Sequence, residues 1–259
     1  MEAAPTVNQR PTPGVWWRVG SLVLALAVLS GIFAGAFALL DYHWQWGEAA
    51  EYWRVLWEGW LTTLGISALA LPLSCVVGVL LALARRSPWM PLEDVARIYV
   101  EVTRGTPLLV QLFIYWYAFG QRLSTDFRLL AGALILALFE GAYISEIFRA
   151  GIENIAASQL ESARALGFTR AQTYRYVIFP QALRQSLPPL AGQFASIIKD
   201  SSLLSVLGIS EFSLAASQVN ATTYTTFELY LPLALGYLIL TLPISLWTQR
   251  LERRARFET

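Results

Sequence analysis

The chain has 259 residues, 56% of them hydrophobic and only 14% charged, against about 25% charged in a typical soluble domain. That balance excludes an ordinary soluble globule, and a formal net charge of +1 gives no field that would gather nucleic acid. Cys75 and His43 are each the only residue of their kind, so neither an internal disulfide nor a histidine-based metal site is available; Cys75, inside an apolar run, reads as a packing residue.

Residues 1–18, with three prolines in the first fourteen positions, read as a disordered cytoplasmic tail. Residues 19–40 are 22 uncharged positions, enough for the roughly 20 that a bilayer crossing needs. That is too long for the roughly 7–15-residue apolar part of a cleaved signal peptide, so a retained membrane helix is expected. Residues 41–58 carry Trp44, Trp46, Trp53 and Trp57 among acids, an interfacial composition. A second span is predicted over 59–84, with Pro72 tolerated where neighbouring helices satisfy the freed carbonyl and Arg85 and Arg86 closing it. Residues 93–102 alternate charged and apolar positions as a surface-lying helix does. Thr106 as N-cap and Pro107 at the first helical position start a third span that runs to Gly120. Its rise of only ~21 Å means that it borrows length from before Arg104, with a break at Gly105. Phe113, Tyr115, Trp116, Tyr117 and Phe119 crowd it, for packing or lipid contact. Residues 121–128 read as a tight polar turn, and a fourth span covers 129–148 with Glu140 and Glu146 embedded.

The next block is polar and basic. Ser158 with Glu161, and Thr169 with Gln172, have the spacing of two successive capping boxes, and Gly167 between them suits the left-handed residue that ends a helix. Two short helices joined by a bend are expected, a bracket held at the membrane surface. Pro188 and Pro189 then open a fifth span to Ile209, residues 211–227 form a polar loop, and a sixth span covers 228–249 around Pro232 and Pro243. The fold class is an all-α polytopic membrane protein of six transmembrane helices. With a cytoplasmic N-terminus, fifteen of the 19 basic residues fall on the bracket's side, three on the other, and Lys199 within a span. By the positive-inside rule the bracket faces the cytoplasm.

Lys199, the only lysine, is followed by Asp200, so the chain has no phosphate-cradling loop ending in Lys-Ser/Thr and no nucleophile elbow. Uphill transport would need a separate ATPase. Ionisable groups inside the membrane are functional candidates. Glu140, Lys199 and Asp200 are such groups; alternatively, Lys199 and Asp200 pair elsewhere and hold a kink. Glu146, Arg149 and Glu153 have the spacing of an ion-pair ladder.

Glu161-Ser162-Ala163, Gly167 six residues after the Glu, and Val177-Ile178-Phe179-Pro180 resemble the EAA loop of membrane subunits of bacterial ATP-binding-cassette importers, with Ser162 and Phe179 as mild departures. Arg104-Gly105-Thr106-Pro107-Leu108-Leu109-Val110-Gln111 and Lys199-Asp200-Ser201-Ser202-Leu203 resemble the branch that handles polar amino acids of the histidine, glutamine and glutamate type. The resemblance covers roughly residues 53–254. It implies a five-helix permease core at 53–250, an added N-terminal helix at 19–40, a cytoplasmic coupling loop at 150–187 and a cytoplasmic tail at 251–259. It also implies that Glu161, Ser162, Ala163, Arg164, Gly167 and Phe168 meet the ATPase, and that Glu140 with Lys199 or Asp200 meets the ammonium and carboxylate of the amino acid in the substrate path. The partners would be two cytoplasmic ATPase subunits holding ATP and Mg, a second permease subunit, identical or a sister, and an extracytoplasmic amino acid-binding protein. The chain itself would carry no cofactor and no enzymatic activity, and would sit in the bacterial inner membrane with both termini cytoplasmic. An ion-gradient-driven secondary amino acid transporter is the alternative, and an intramembrane enzyme a third reading that isolated acids disfavour.

Overall fold

The computed structural model describes residues 14–40, 42–120 and 127–256, and all regular structure among them is helical. The chain divides after Trp44 into two units. The first contains helix α1, Val15–Ala38, apolar all round as a lipid-embedded helix is; the helix starts inside the residues expected to be tail. The expected tail at 1–13, most of the 121–128 turn and the last three positions lie outside the described residues.

In the second unit, α2 (Trp46–Glu51) leads into α3 (Trp53–Ala84), which runs unbroken through Pro72. Helix α4 (Met90–Gly105) buries Ala96, Val100 and Thr103 along one stripe. The predicted break follows it, one residue further on than expected. Thr106 and Pro107 are both extended and α5 begins at Leu108, so neither takes the capping position assigned to it. Gln111 stitches the break: its Nε2 donates to the Thr103 carbonyl and to Thr106 Oγ1, each at 2.7 Å. Helix α5 (Leu108–Ala118) is about 16 Å long, too short to cross alone. Of its aromatics, Trp116 is buried while Tyr117 and Phe119 are exposed.

Helix α6 (Arg128–Glu153) is the centre of the unit, with α3 packed along one side and α9 (Phe179–Asp200) along another. Close approach of α3 and α6 depends on absent side chains. A Cβ on Gly78 would lie 2.5 Å from Ile144 Cγ2, and one on Gly141 would strike Val77. The core around them includes Ile66, Leu112, Leu136, Phe139, Ile197 and Leu204.

Two sequence expectations fail downstream. Pro188 and Pro189 do not open a span; they lie inside α9, and Pro188 is buried there. A wide π turn at Tyr174–Ile178 carries the backbone straight from the bracket into α9; such turns adjust the ladder locally where a proline lacks its N–H. The stretch expected as a polar loop contains helix α10, Phe212–Thr223, whose Phe212, Ala215, Ala216 and Val219 form a buried face. Helix α11, Thr226–Arg256, completes the unit and takes in the basic end of the chain.

Among the described residues, four helices are long and apolar enough to cross a membrane, at Val19–Ala38, Trp53–Ala84, Arg128–Glu153 and Thr226–Glu252. A fifth candidate is a pair bent by 47°, Arg170–Leu207 with Phe212–Thr223. The all-α polytopic class therefore holds, with the third expected span reduced to the short apolar α5.

Candidate functional site

The bracket is built from two local signals. Helix α7, Ala157–Ala165, is nine residues long, and Gly167 after it has φ +74°. The Phe168 N–H donates to the Ala163 carbonyl at 3.0 Å and the Gly167 N–H to the Arg164 carbonyl at 2.9 Å. That pair of bonds is a Schellman closure, which needs a residue free to adopt the left-handed region. Helix α8, Arg170–Thr173, opens with the predicted box: Thr169 N donates to Gln172 Oε1 at 2.8 Å and Gln172 N donates to Thr169 Oγ1 at 3.3 Å. The first box does not form. Buried Ile155 anchors the entering chain, the helix starts at Ala157 with Ala156 as N-cap, and Ser158 falls inside the first turn. Glu161 is thus free of a capping role.

Glu161, Ser162, Arg164, Gly167 and Phe168 are all exposed, and Leu166 is 74% exposed between them. Ala163 is the exception among the expected contact residues: it is buried, and its methyl packs the bracket on its own chain. The surface therefore offers one acid, several arginines and two large apolar side chains on a rigid turn.

The membrane acids fall into two groups. Glu140 on α6 has no exposed surface, and Gln193 of α9 donates its Nε2 to Glu140 Oε2. Of the two expected partners on α9, Asp200 is half-buried at the end of the helix and Lys199 is exposed. Nearer the bracket, Glu146 collects three arginines. Arg85 from the end of α3 donates to Oε1, Arg149 Nη2 lies 2.7 Å from Oε2, and Arg104 of α4 approaches Oε2 at 3.4 Å. Arg149 also pairs with Glu153, which completes the predicted ladder.

Residues 74–257 match the family described as the binding-protein-dependent transport system inner membrane component. The glutamine transport system permease protein GlnP of Escherichia coli (strain K12) is 36% identical over 214 residues, 79% of this chain and 97% of GlnP. The L-cystine transport system permease protein TcyB of Bacillus subtilis (strain 168) is 36% identical over 205 residues, 79% of this chain and 88% of TcyB. A crystal structure of an amino acid ABC transporter with histidines superposes with a TM-score of 0.75 at 36% identity, covering 82% of this chain and all of the other. This chain belongs to that permease family.

As a permease subunit, the chain also uses residues that sequence reasoning passed over. Glu211, assigned to the polar loop, is fully buried and caps α10, accepting from Ser213 N at 2.9 Å and Leu214 N at 2.8 Å. Tyr237 of α11 donates to it at 2.8 Å and Thr63 of α3 at 3.3 Å, so one carboxylate ties three helices of the permease together. An acid two residues before a small residue on an apolar repeat was the available signal. Arg85 and Arg104 were visible as basic ends of apolar runs, but nothing in the sequence aimed them at Glu146.

Proposed function

We propose that this permease subunit forms the membrane path of an ATP-driven importer of polar amino acids, and that force reaches it from a separate ATPase through the bracket. The observation that carries the reading is the exposed, doubly closed turn at 157–173, continuous through the π turn with α9. Its left-handed glycine and capping box fix the shape without burying it, which suits a surface made for a partner. Because no flexible linker separates bracket from α9, a push on Glu161, Leu166 or Phe168 passes into a helix that packs on α6 and α11. Rigid-body switching of packed elements is the physical form of such coupling. The named cargoes of the relatives, glutamine and L-cystine, support the amino acid class.

In this reading Glu161, Ser162, Arg164, Gly167 and Phe168 meet the ATPase directly and Ala163 supports them from beneath. Glu140 and Asp200 border the substrate path; Lys199 is outside it. Two permease subunits pair around the path, two cytoplasmic ATPase subunits hold ATP and Mg, and an extracytoplasmic binding protein delivers substrate. The chain performs no covalent chemistry and holds both termini in the cytoplasm of a bacterium.

Glu161→Lys is the direct test. The variant should insert at the level of the unaltered protein and lose co-purification with its ATPase, and normal co-purification would remove the bracket from docking. Amino acid uptake that survives deletion of the ATPase and runs on a proton or sodium gradient would return the chain to secondary transport.

A further inference from the structure

Two cavities open side by side at the bracket's end of α3 and α6. The first, about 540 Å³, is walled by charged side chains from the end of α3, from α4 and from the end of α6. Most of its charges are already matched: Glu146 holds Arg85 and Arg149, Glu153 takes the other side of Arg149, and Glu93 pairs with Arg97. Two are left over. Arg86 and Glu101 are exposed, and among the described residues neither side chain has an ion-pair or hydrogen-bond partner. The second cavity, about 150 Å³, is apolar, with Leu83, Phe148 and Ile178 in its wall. Ala82 and Ile152 line both cavities, so the two meet. Trp89, three residues after Arg86, is 64% exposed, as suits the level where lipid meets water.

We propose that the joined cavities bind a phospholipid whose head carries both a phosphate and a primary ammonium, an ethanolamine head, with the start of one acyl chain in the apolar part. The phosphate meets Arg86, whose guanidinium fork matches two phosphate oxygens, and the ammonium meets Glu101. Basic pockets between helix ends are headgroup sites in membrane proteins, and here the leftover acid selects the head. A head with a phosphate alone leaves Glu101 unmatched. A choline head has methyls in place of N–H donors, and such cations are held by aromatic cages; among the described residues no aromatic side chain lines the charged cavity. The cavity falls in the roughly 300–1,000 Å³ range of small-molecule sites. The wall shared at Ala82 and Ile152 sets the apolar space directly beside the charged one, which is the layout of an amphiphile. A soluble phosphate compound would fill the first cavity and gain nothing from the second. The site does not depend on which cargo the permease carries.

Native mass spectrometry of the full chain purified in detergent reads bound lipid directly, with ethanolamine, glycerol and choline heads on identical acyl chains titrated in turn. On the unaltered protein the ethanolamine lipid should bind at least fivefold more tightly than either of the others. Glu101→Gln should bring the ethanolamine lipid down to the level of the glycerol lipid and leave the latter unchanged. Arg86→Gln should weaken both fivefold or more. Both side chains are exposed and unbonded, so neither substitution removes a contact that the fold uses. Equal binding of the three heads on the unaltered protein, which needs no variant, would overturn the proposal. So would an ethanolamine preference that survives Glu101→Gln, or phosphate-headed lipids that bind Arg86→Gln undiminished. Free phosphoethanolamine is the last arm, and it should not displace the lipid at equal concentration. Displacement at equal concentration would make the ligand a soluble phosphate compound and overturn the lipid as occupant.

Discussion

The bracket and the α6–α9 contact hold their shapes by opposite means. The bracket stands in the open, and its geometry comes from residues within six positions of one another: Gly167 closing on Arg164 and Phe168 on Ala163, and Thr169 trading bonds with Gln172. At the α6–α9 contact, Glu140 meets Gln193 from 53 residues away, and nothing local dictates the encounter. A partner surface can be specified by short-range bonds because it need not bury anything until the partner arrives. A membrane-buried polar site must be specified by tertiary packing, since an isolated charge in lipid is costly.

The strongest way to break the contrast is Gly167→Pro. The substitution removes the N–H that bonds Arg164 and forces φ from +74° to about −65°. The cost is about 3 kcal/mol, confined to the turn. ATP-driven uptake should disappear while membrane insertion, read by immunoblot of washed membranes, stays at its normal level. Loss of insertion would mean that the bracket is part of the folding core.

Gly78→Ala probes the buried side. The new methyl meets Ile144 at 2.5 Å and the Gly141 carbonyl at 3.2 Å, and overpacking of this kind costs about 1–3 kcal/mol. A detergent-solubilised sample should melt several degrees lower, since 1 kcal/mol moves Tm by roughly 2–4 °C at this chain length. ATPase co-purification below the melt should be retained. An unchanged melt would show that α3 and α6 have slack at that crossing.

The same contrast explains what was legible. Gly167 and the second capping box could be read because all the atoms involved lie within one or two turns. The box at Ser158 failed because burial of Ile155 set the helix start, a tertiary effect that spacing alone does not reveal. Polar composition hid α10, although Phe212, Ala215, Ala216 and Val219 already had helical spacing; the missing piece was the Glu211 cap, whose hydroxyl partners sit on α3 and α11. Pro188 and Pro189 read as a start and proved internal, since α6 and α11 pack along the helix that contains them. The ladder from Glu146 to Glu153 was visible at i,i+3 and i,i+4. The arginines that α3 and α4 add to it were not.

Thr169→Ala is a milder probe of the bracket. Removing the hydroxyl leaves the Gln172 N–H without its acceptor, at a cost near 1 kcal/mol. Titration of ATPase onto the permease in nanodiscs should show affinity down by about fivefold, less than Gly167→Pro produces. An effect as large as that of Gly167→Pro would mean that the box, and not the left-handed turn, carries the geometry.

The smallest effect is expected at Glu93→Gln. Glu93 pairs with Arg97 at 2.6 Å, an i,i+4 contact within α4 whose arginine is 57% exposed. Water screens such a pair to roughly 0.3–0.5 kcal/mol, and 0.5 M salt should erase even that. Glu146 differs from it in kind. Its side chain is 15% exposed and receives arginines from α3, α4 and its own helix, so Glu146→Gln would take the acid from Arg85 and Arg104 at once and leave Arg149 with Glu153 alone. Comparing the two variants by thermal melt at low and high salt isolates what burial adds to an ion pair. A Glu93→Gln melt lowered as far as that of Glu146→Gln would show that the exposed pair within α4 stabilises the fold as much as the buried junction of the three helices.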